Sequence, residues 1–337
     1  MDSETIRQAV YQQVRQHYEC PRLWPMAQPK DMTRHHIAEV FEPESSKRFV
    51  VSQKADGIHR ALIFGMLREQ PYCCFMDRCN RLVFHQVECN MGLFRGTLLL
   101  GEMVSTGPTA QFLIFDVVSL GGTSYLRSDY RERMAQAMDL VAAQDSGAFK
   151  IGLTLGLEAG PRLAAKPFYR IDRFATDYHP VTHDDGLIFI DVKEPISRVQ
   201  PLKWKPTSTV DLLVTARREG YGLPWCYSIT EPKLSYQGFK IHLQTGLEGC
   251  ALLAMIEKLL ASNGLLRYSV VFECLLQSTD ALIGAVLLIP IKVRNDKLYA
   301  NTSTTVLGTF ESFAADIGQD EIIRHFVGAQ CTDPRSF

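Results

Sequence analysis

The chain has 337 residues, of which 46% are hydrophobic and 22% charged, and its formal net charge is −1. This balance is typical of a globular protein of about two domains, and the near-neutral charge argues against a protein that coats nucleic acid. No apolar segment reaches the length of a membrane span, and the polar, acidic start is unlike a secretory signal. We therefore expect an intracellular protein that is not secreted and has no membrane contact. The nine cysteines lack zinc-ligand spacing and fit a reducing compartment.

The first predicted elements, in chain order, are a helix and then a series of strands. Ile6, Val10 and Val14 recur every four residues, which predicts a helix with these side chains on one face. A helix near Ser128–Ala143, with Ser128 as its N-cap, interrupts the strands. The strands themselves are predicted by apolar runs at Arg48–Lys54, Ala61–Leu67, Thr97–Val104, Gln111–Leu120, Gly186–Val192 and Val210–Ala216.

The pattern changes in the last third of the chain. Gly220–Pro224 is typical of a loop, Leu247–Ser262 of a helix, and the apolar run Ala281–Ile291 of a buried strand. A last helix is predicted at about Ile317–Val327.

These elements predict an α+β protein of two domains. The large mixed domain covers residues 1–209, and a smaller β-rich domain covers residues 210–308. The remaining residues, 309–337, hold a C-terminal helix. The sequence leaves open whether that helix packs back on the first domain.

The amine of Lys54 is the first candidate reactive group, in Lys54-Ala55-Asp56-Gly57. The lysine ends an apolar strand beside a glycine turn, so it can be held in a cleft. Burial and neighbouring cations make a lysine amine nucleophilic, and glycine lets the backbone approach a phosphate closely. Asp-Gly is also the commonest hairpin signal, so a solvated lysine in an ordinary hairpin remains the alternative.

Four further charged residues lie in or beside predicted strands. Lys203 and Lys205 are two residues apart, so on a strand they share a face and can hold a polyphosphate, unless they protect a solvated strand edge. Glu102 lies in an apolar run and needs a partner, such as a ribose hydroxyl, a metal ion or an arginine. Asp185 opens a strand, where an acid can bind Mg²⁺, orient the lysine or form an ordinary turn.

An aromatic residue and a late charged cluster complete the candidates. Phe112–Asp116 alternates along a strand, and Phe115 could stack on a base or pack in the core. The cluster Arg294-Asn295-Asp296-Lys297, followed by Asn301, presents cations either to a leaving pyrophosphate or to solvent.

In order and spacing these motifs resemble the covalent nucleotidyltransferase superfamily, which includes DNA ligases, RNA ligases and mRNA-capping guanylyltransferases. The resemblance runs from about Pro21 to Asn301 and is nearest to the compact capping enzymes of large DNA viruses. It implies a DNA-ligase-like (ATP-grasp-like) nucleotidyltransferase domain followed by a β-barrel OB-fold domain. The motifs are Lys54-x-Asp56-Gly57, Gly101-Glu102, Phe115-Asp116, Lys166-Pro167-Phe168-Tyr169, Asp185-Gly186, Lys203-Trp204-Lys205-Pro206 and Arg294-x-Asp296-Lys297.

The resemblance also implies a reaction and a role for each motif residue. Lys54 would attack the α-phosphate of GTP, expel pyrophosphate and carry GMP until a 5′-diphosphate RNA end takes it to form the GpppN cap. The other implied roles are nucleotide binding by His59, ribose contact by Arg78 and Glu102, stacking on guanine by Phe115, recognition of the guanine edge by Lys166, metal contact by Asp185, phosphate binding by Lys203 and Lys205, and pyrophosphate alignment by Arg294, Asp296 and Lys297.

Cofactor, partners and location follow from the same resemblance. We expect Mg²⁺ or Mn²⁺ as the metal and GTP as the substrate. Because the chain shows no triphosphatase or methyltransferase motif, a separate RNA triphosphatase and a cap methyltransferase are expected partners, with RNA polymerase as a further one. The nucleus or a viral replication compartment is the expected location.

Two positions depart from the family pattern. His59 stands where the family usually has arginine, and Leu100 stands where it usually has aspartate. Both changes favour an alternative in which the chain is a catalytically weakened capping subunit that binds RNA or polymerase. A second alternative is an ATP-dependent polynucleotide ligase, although the Arg-x-Asp-Lys cluster favours the capping branch.

Overall fold

A computed structural model of the chain describes two compact units. The first unit comprises the residues up to Trp204 together with those from Asp320 onward, and the second comprises Lys205–Gln319. No described helix is long and apolar enough to cross a membrane. The described residues are 3–17, 26–44, 47–106, 109–147, 150–151, 161–177, 185–219, 226–232, 240–243, 267–280, 285–294, 297 and 299–330.

Helices and mainly antiparallel strands share the described residues, which confirms the α+β class. The helices are α1 (Ser3–His17), α2 (Arg34–Phe41), α3 (Tyr130–Asp145), α4 (Phe174–Asp177), α5 (Ser303–Ala315) and α6 (Gln319–Gln330). The strands of the first unit are β1 (Lys30–Asp31), β2 (Phe49–Gln53), β3 (Ile58–Leu67), β4 (Gln70–Met76), β5 (Leu82–His85), β6 (Val87–Glu88), β7 (Thr97–Thr106), β8 (Thr109–Leu120), β9 (Thr123–Ser124), β10 (Lys150–Ile151), β11 (Arg162–Ala165), β12 (Tyr169–Arg170), β13 (Leu187–Asp191) and β14 (Leu202–Trp204). Those of the second unit are β15 (Thr209–Arg217), β16 (Cys226–Glu231), β17 (Lys240–Leu243), β18 (Arg267–Asp280) and β19 (Ala285–Val293).

The predicted elements are found with shifted ends. The first helix is confirmed as α1, with Val10 and Val14 buried, and all six predicted strands are present. The prediction of Ser128 as the cap of α3 is wrong, because Asp129 caps it by accepting a hydrogen bond from the N–H of Arg131 at 2.7 Å. The predicted loop at 220–224 and the predicted helix at 247–262 lie outside the described residues.

The strands of the first unit form two large sheets. One has the order β1-β14-β13-β2-β12, and the other has β11-β8-β7-β3-β4-β5 with β9 beside β8. β2 and β3 therefore lie in different sheets, so the hairpin alternative for residues 54–57 is wrong. This segment instead carries the chain from one sheet to the other.

The second sheet is packed on both of its faces. One face shares a core with the first sheet and α3, and the other packs against α1. Members of the first core include Val50, Ile190, Leu62, Phe112, Tyr130 and Met134, and members of the second include Val10, Val14, Ala61 and Leu100. Burial on both faces explains why β3 reads as an almost continuous apolar run.

The C-terminal segment 309–337 contains parts of two helices that belong to different units. Phe326 of α6 packs on Phe41 and Phe174 of the first unit, at ring-centroid distances of 5.1 and 4.3 Å. α5 instead packs with Val306 and Phe310 on the sheet of the second unit, whose strand order is β16-β15-β18-β19-β17. The OB-fold expected for this second unit stays a prediction.

A fully buried ion pair ties α3 to β8. Arg133 Nε donates to Asp116 Oδ1 at 2.7 Å, and Nη2 donates to Oδ2 at 3.1 Å. Both side chains have no exposed surface. The hydroxyl of Tyr130, on the same helix, donates to the backbone carbonyl of Phe115 at 3.1 Å. α3 therefore fixes the backbone of β8 at Phe115.

Removing one member of this pair should destabilise the fold strongly. We expect Arg133→Met to lower the free energy of unfolding by about 3–5 kcal/mol, because it leaves the Asp116 carboxylate buried without its cation. Urea-induced unfolding measures the change. The matched control is Arg162→Met, which breaks the exposed pair with Asp145 and should cost less than about 1 kcal/mol. Equal costs for the two variants would contradict the assignment.

Candidate active site

Lys54 follows β2 and lies against an acidic side chain. Its backbone N–H donates to the carbonyl of Gly186 at 2.8 Å, and the N–H of Asp185 donates to the Lys54 carbonyl at 3.3 Å. The Lys54 amine forms an ion pair with Asp185 Oδ2. Gly186 has φ of +116°, a conformation that favours glycine and turns the chain immediately after Asp185. The structure thus brings these two predicted residues together.

Gly57 brings the segment after Lys54 into close contact with β7. A Cβ atom at this position would lie 2.7 Å from Val104 Cγ1, 2.9 Å from the carbonyl oxygen of Met103 and 3.1 Å from Glu102 Cβ. Any side chain here would push the segment away from β7. The glycine of the motif therefore couples Lys54, which follows one sheet, to Glu102, which lies on the other.

Glu102 is the centre of a buried charged cluster. It lies directly opposite His59 in the β3–β7 ladder, so the two side chains share a face of the sheet. His59 Nε2 is 3.1 Å from Glu102 Oε1, and Lys166 Nζ is 3.9 Å from the same oxygen. Glu102 and Lys166 are buried, whereas His59 is 28% exposed. Lys166 is held at the end of β11, where its N–H donates to the carbonyl of Ile114.

Two more predicted residues contact His59. Arg78 Nη2 is 3.0 Å from His59 Nδ1, and the ring of Phe115 lies 5.3 Å from the imidazole, inclined by 57°. Arg60, the next residue along β3, instead lies 3.9 Å from Asp77. The first unit therefore assembles four of the predicted residues around His59, which is itself a fifth.

The pKa values of the cluster reflect burial and neighbouring charge. Burial lowers the pKa of His59, although the hydrogen bond with Glu102 opposes the change. Burial also lowers the pKa of Lys166, opposed by the charge of Glu102. For Glu102, burial raises the pKa, but the hydrogen bond from His59 and the charges of Lys166 and Lys54 outweigh it, so its pKa is lowered. The carboxylate is ionised and the imidazole neutral at pH 7.

One oxygen of Glu102 is buried without a hydrogen-bond partner among the described residues, namely Oε2. An ionised carboxylate oxygen accepts hydrogen bonds and is costly to bury when none is made. A hydroxyl group of a ligand is a donor of the required kind. This atom is the strongest local indication that the cluster binds something.

The two lysines of the motif Lys203-Trp204-Lys205-Pro206 are not equivalent. Lys203 lies in β14, and its amine is 3.2 Å from Asp31 Oδ2 on the neighbouring β1. Lys205 follows the end of β14 and begins the second unit, so the prediction that both lie on one strand is wrong. Pro206, directly after it, has no N–H to continue the ladder. Sequence reasoning did not identify Asp31, because a two-residue strand leaves no periodic signal.

The late charged cluster lies in the second unit and is held by an aspartate of β15. Arg294 Nη1 is 3.0 Å from Asp211 Oδ1 and 3.5 Å from Glu273, and the Lys297 amine also pairs with Asp211. Asn301 Oδ1 accepts the N–H of Asp211 at 2.7 Å. Asp296 lies outside the described residues. Sequence reasoning missed Asp211, although an acid in an apolar strand run signals a buried cation partner.

Metal ligands are sparse in the part of the chain that the structure describes, where no group of three His, Cys, Asp or Glu side chains could hold an ion. Asp185 beside Lys54 is a single hard oxygen ligand. Mg²⁺ in nucleotide sites is commonly held by one or two carboxylates together with substrate phosphates. The residues present fit that mode of binding.

The Lys54 amine lies against the Asp185 carboxylate, and the buried Glu102 Oε2 has no hydrogen-bond partner among the described residues. Both features suit the chemistry of a nucleotidyltransferase. Comparison with known protein families identifies the particular family. Residues 2–207 match the model described as mRNA capping enzyme, catalytic domain, and the chain belongs to this family. No curated protein matches the chain. Among solved structures, a mycobacterial DNA ligase D complexed with ATP and MES is similar, with 13% identity and a TM-score of 0.39, covering 81% of this chain and 94% of that one.

The charge of Glu102 should stabilise the fold. Its pKa is lowered in the folded protein, so its contribution is complete above the unfolded-state pKa of about 4.3 and is lost as pH falls through the lower folded value. We expect Glu102→Gln to lower the free energy of unfolding at pH 7 by about 1.5–3 kcal/mol, and the deficit to shrink below pH ~4.3.

Urea-induced unfolding at stepped pH measures this deficit. The matched control is Glu44→Gln, since Glu44 is 92% exposed and should show little change at any pH. A deficit for Glu102→Gln that stays constant down to about pH 3.5 would contradict the assigned role of the charge.

Proposed function

We propose that the protein is a GTP:RNA guanylyltransferase that carries GMP on Lys54. The observation that supports this most directly is the ion pair between the Lys54 amine and Asp185. A carboxylate in this position orients the amine and can accept the proton that the amine loses when it attacks phosphorus. The membership of the capping family supplies the reaction type.

In the first step the lone pair of the Lys54 nitrogen forms a bond to the α-phosphorus of GTP. The bond from that phosphorus to the oxygen bridging to the β-phosphate breaks, and pyrophosphate leaves with the electron pair. The Lys54 ammonium gives one proton to Asp185 before the attack, which frees the lone pair, and the second proton leaves the nitrogen for solvent as the new bond forms. GMP is then held on Lys54 as a phosphoramidate.

In the second step a terminal β-phosphate oxygen of a 5′-diphosphate RNA end attacks the same phosphorus. The phosphorus–nitrogen bond breaks, and the lysine nitrogen leaves with the electron pair and regains a proton. The products are the GpppN cap and the free enzyme. RNA with a 5′-triphosphate would first need a separate triphosphatase, and methylation of the cap would need a methyltransferase. RNA polymerase is a further proposed partner.

The buried cluster provides chemistry suited to a guanosine. Glu102 Oε2 can accept a hydrogen bond from a ribose hydroxyl, and Arg78 can donate to the ribose or a phosphate. The aromatic ring of Phe115 can stack on a base. Lys166 carries only donors, which match the O6 and N7 acceptors of guanine, whereas the amino group of adenine would face it with another donor.

The remaining cationic side chains are assigned to the phosphate groups of the nucleotide. Lys203 and Lys205 would hold the nucleotide phosphates, and Arg294 and Lys297, with Asp296, would align the pyrophosphate. Asp185 would hold Mg²⁺ or Mn²⁺ together with the phosphates. The metal would neutralise phosphate charge during transfer.

The direct test is the mass of the intact protein after incubation with Mg²⁺ and either GTP or ATP. We expect a gain of one GMP from GTP, none from ATP, and reversal on addition of pyrophosphate. A gain of AMP from ATP would favour the polynucleotide ligase. No gain from folded protein with either nucleotide would favour the binding subunit.

The nucleophile itself is tested by Lys54→Arg. We expect this variant to form no adduct although its charge is preserved, because arginine is not deprotonated in proteins and cannot attack. Lys47→Arg is the matched control, since Lys47 is 70% exposed and away from the site, and it should label like the wild type. An adduct that survives in Lys54→Arg would move the nucleophile to another residue.

The close contact between Gly57 and β7 is tested by Gly57→Ala. The added Cβ would collide with β7, so we expect the rate of adduct formation to fall by roughly a hundredfold, since small displacements of reacting groups have effects of this size. Gly328→Ala, in α6, adds a Cβ into open space and should leave the rate unchanged. Equal rates for Gly57→Ala and the control would show that the approach is dispensable.

A further inference from the structure

His59 has both of its ring nitrogens engaged by charged side chains. Nδ1 is 3.0 Å from Arg78 Nη2, and Nε2 is 3.1 Å from Glu102 Oε1. A guanidinium only donates hydrogen bonds, and an ionised carboxylate only accepts them. Nδ1 must therefore be unprotonated and Nε2 must carry the proton. The contacts on the two sides select one neutral tautomer.

The imidazole also contacts Phe115, the residue that is assigned to stacking on the guanine base. Its ring lies 5.3 Å from that of Phe115, and the side chain as a whole is 28% exposed. His59 thus contacts Arg78, Glu102 and Phe115 at once. Its nitrogens are used within the protein, so its contribution to nucleotide binding passes through these neighbours.

An arginine at this position could not make the same bridge. Arginine has no acceptor, so it would meet Arg78 as a second cation without a hydrogen bond. The neutral histidine instead accepts a hydrogen bond from Arg78 and donates one to Glu102. Because that donated hydrogen bond goes to Oε1, the buried Oε2 remains available to a ligand hydroxyl.

We propose that His59 is a positioning residue, whose neutral Nε2–H form holds Arg78 and Glu102 in the arrangement that binds the ribose of GTP. The proposal rests on the guanylyltransferase function proposed above. It assigns the histidine a role that depends on its acceptor nitrogen as much as on its donor. Binding of GTP then depends on the protonation state of this ring.

The sign of the pH effect follows from the groups that face the ring. Glu102 on β7 favours a proton on the imidazole, whereas Arg78 on the β4–β5 turn and Lys166 after β11 oppose it. With burial, these groups place the pKa of His59 below its ordinary value of about 6.5. The bridge is intact above that pKa. Below it, a proton on Nδ1 displaces Arg78, and the KM for GTP rises.

Three variants separate this role from a merely structural one. His59→Gln keeps one acceptor and one donor on a planar group that does not titrate. His59→Phe keeps a ring against Phe115 but removes both hydrogen bonds. His59→Arg places a permanent cation beside Arg78. His35→Gln, at an exposed position on α2, is the control for loss of a histidine elsewhere.

The first readout is the KM and the maximal rate of adduct formation with GTP between about pH 4.5 and 8. This range extends well below the ordinary histidine pKa, because burial lowers the pKa of His59. We expect the KM of His59→Phe to be raised roughly tenfold at pH 8, with a smaller change in the maximal rate. We expect His59→Gln to keep a KM within about threefold of the wild type but to lack the rise at low pH that histidine adds. His59→Arg should have a raised KM.

Three results would overturn the proposal. One is an unchanged KM in His59→Phe, the second is an identical pH profile in His59→Gln and the wild type, and the third is a lowered KM in His59→Arg. The comparison with His59→Gln subtracts the ionisation of GTP itself, which is common to both proteins.

The second readout does not need adduct formation and so separates the two proposals. Nitrogen-15 spectra of histidine-labelled protein report the tautomer, and the signal lost in His59→Gln identifies the ring. We expect the Nε2–H form at pH 7.5, perturbed in Arg78→Gln. A ring protonated at Nδ1 overturns the proposal whether or not an adduct forms. Absence of an adduct together with the Nε2–H form would refute only the proposed function.

Discussion

Gly57 lies so close to β7 that a Cβ on it would be 2.9 Å from the carbonyl oxygen of Met103. Lys54 follows a strand of one sheet, whereas Glu102 belongs to the other, and three residues of backbone join the two sheets after the lysine. With any side chain at position 57, this connection would have to bulge outward. The Lys54 amine and the carboxylate of Glu102 lie close enough for their charges to interact because the glycine removes that obstacle.

Buried carboxylates recur in the structure, and their oxygen atoms distinguish structural pairs from a binding site. Asp116 uses both oxygens on Arg133, which leaves nothing for a ligand to satisfy. Glu102 uses Oε1 on His59, with Lys166 nearby, and leaves Oε2 without a partner among the described residues. Since an unsatisfied buried oxygen is costly, its presence indicates a function that offsets the cost.

The local hydrophobic pattern predicted the helices and strands well. It could not predict which distant segments pair with one another. Apolar runs located β2, β3, β7 and β8, because burial of strands leaves a strong signal. The same patterns could not tell a hairpin from a passage between sheets, since Asp-Gly suits both and the choice depends on partners elsewhere in the chain. The motif order identified the residues around Glu102, although nothing local predicts that Arg78 and His59 would meet.

The two departures from the family have different structural meanings. Leu100 is fully buried and packs with Ala61 on the face that α1 covers, so an aspartate at this position would be an unpaired charge inside the core. The leucine therefore removes no accessible ligand from the site of this chain. His59 lies at the border of the cluster and replaces a fixed cation by a group that both accepts and donates. An enzyme losing its activity would be expected to leave such a position without organised contacts, whereas here both ring nitrogens and the ring face are engaged. The contacts of His59 are those of an adapted site, and the buried Leu100 takes nothing from it, which favours the active enzyme over the binding subunit.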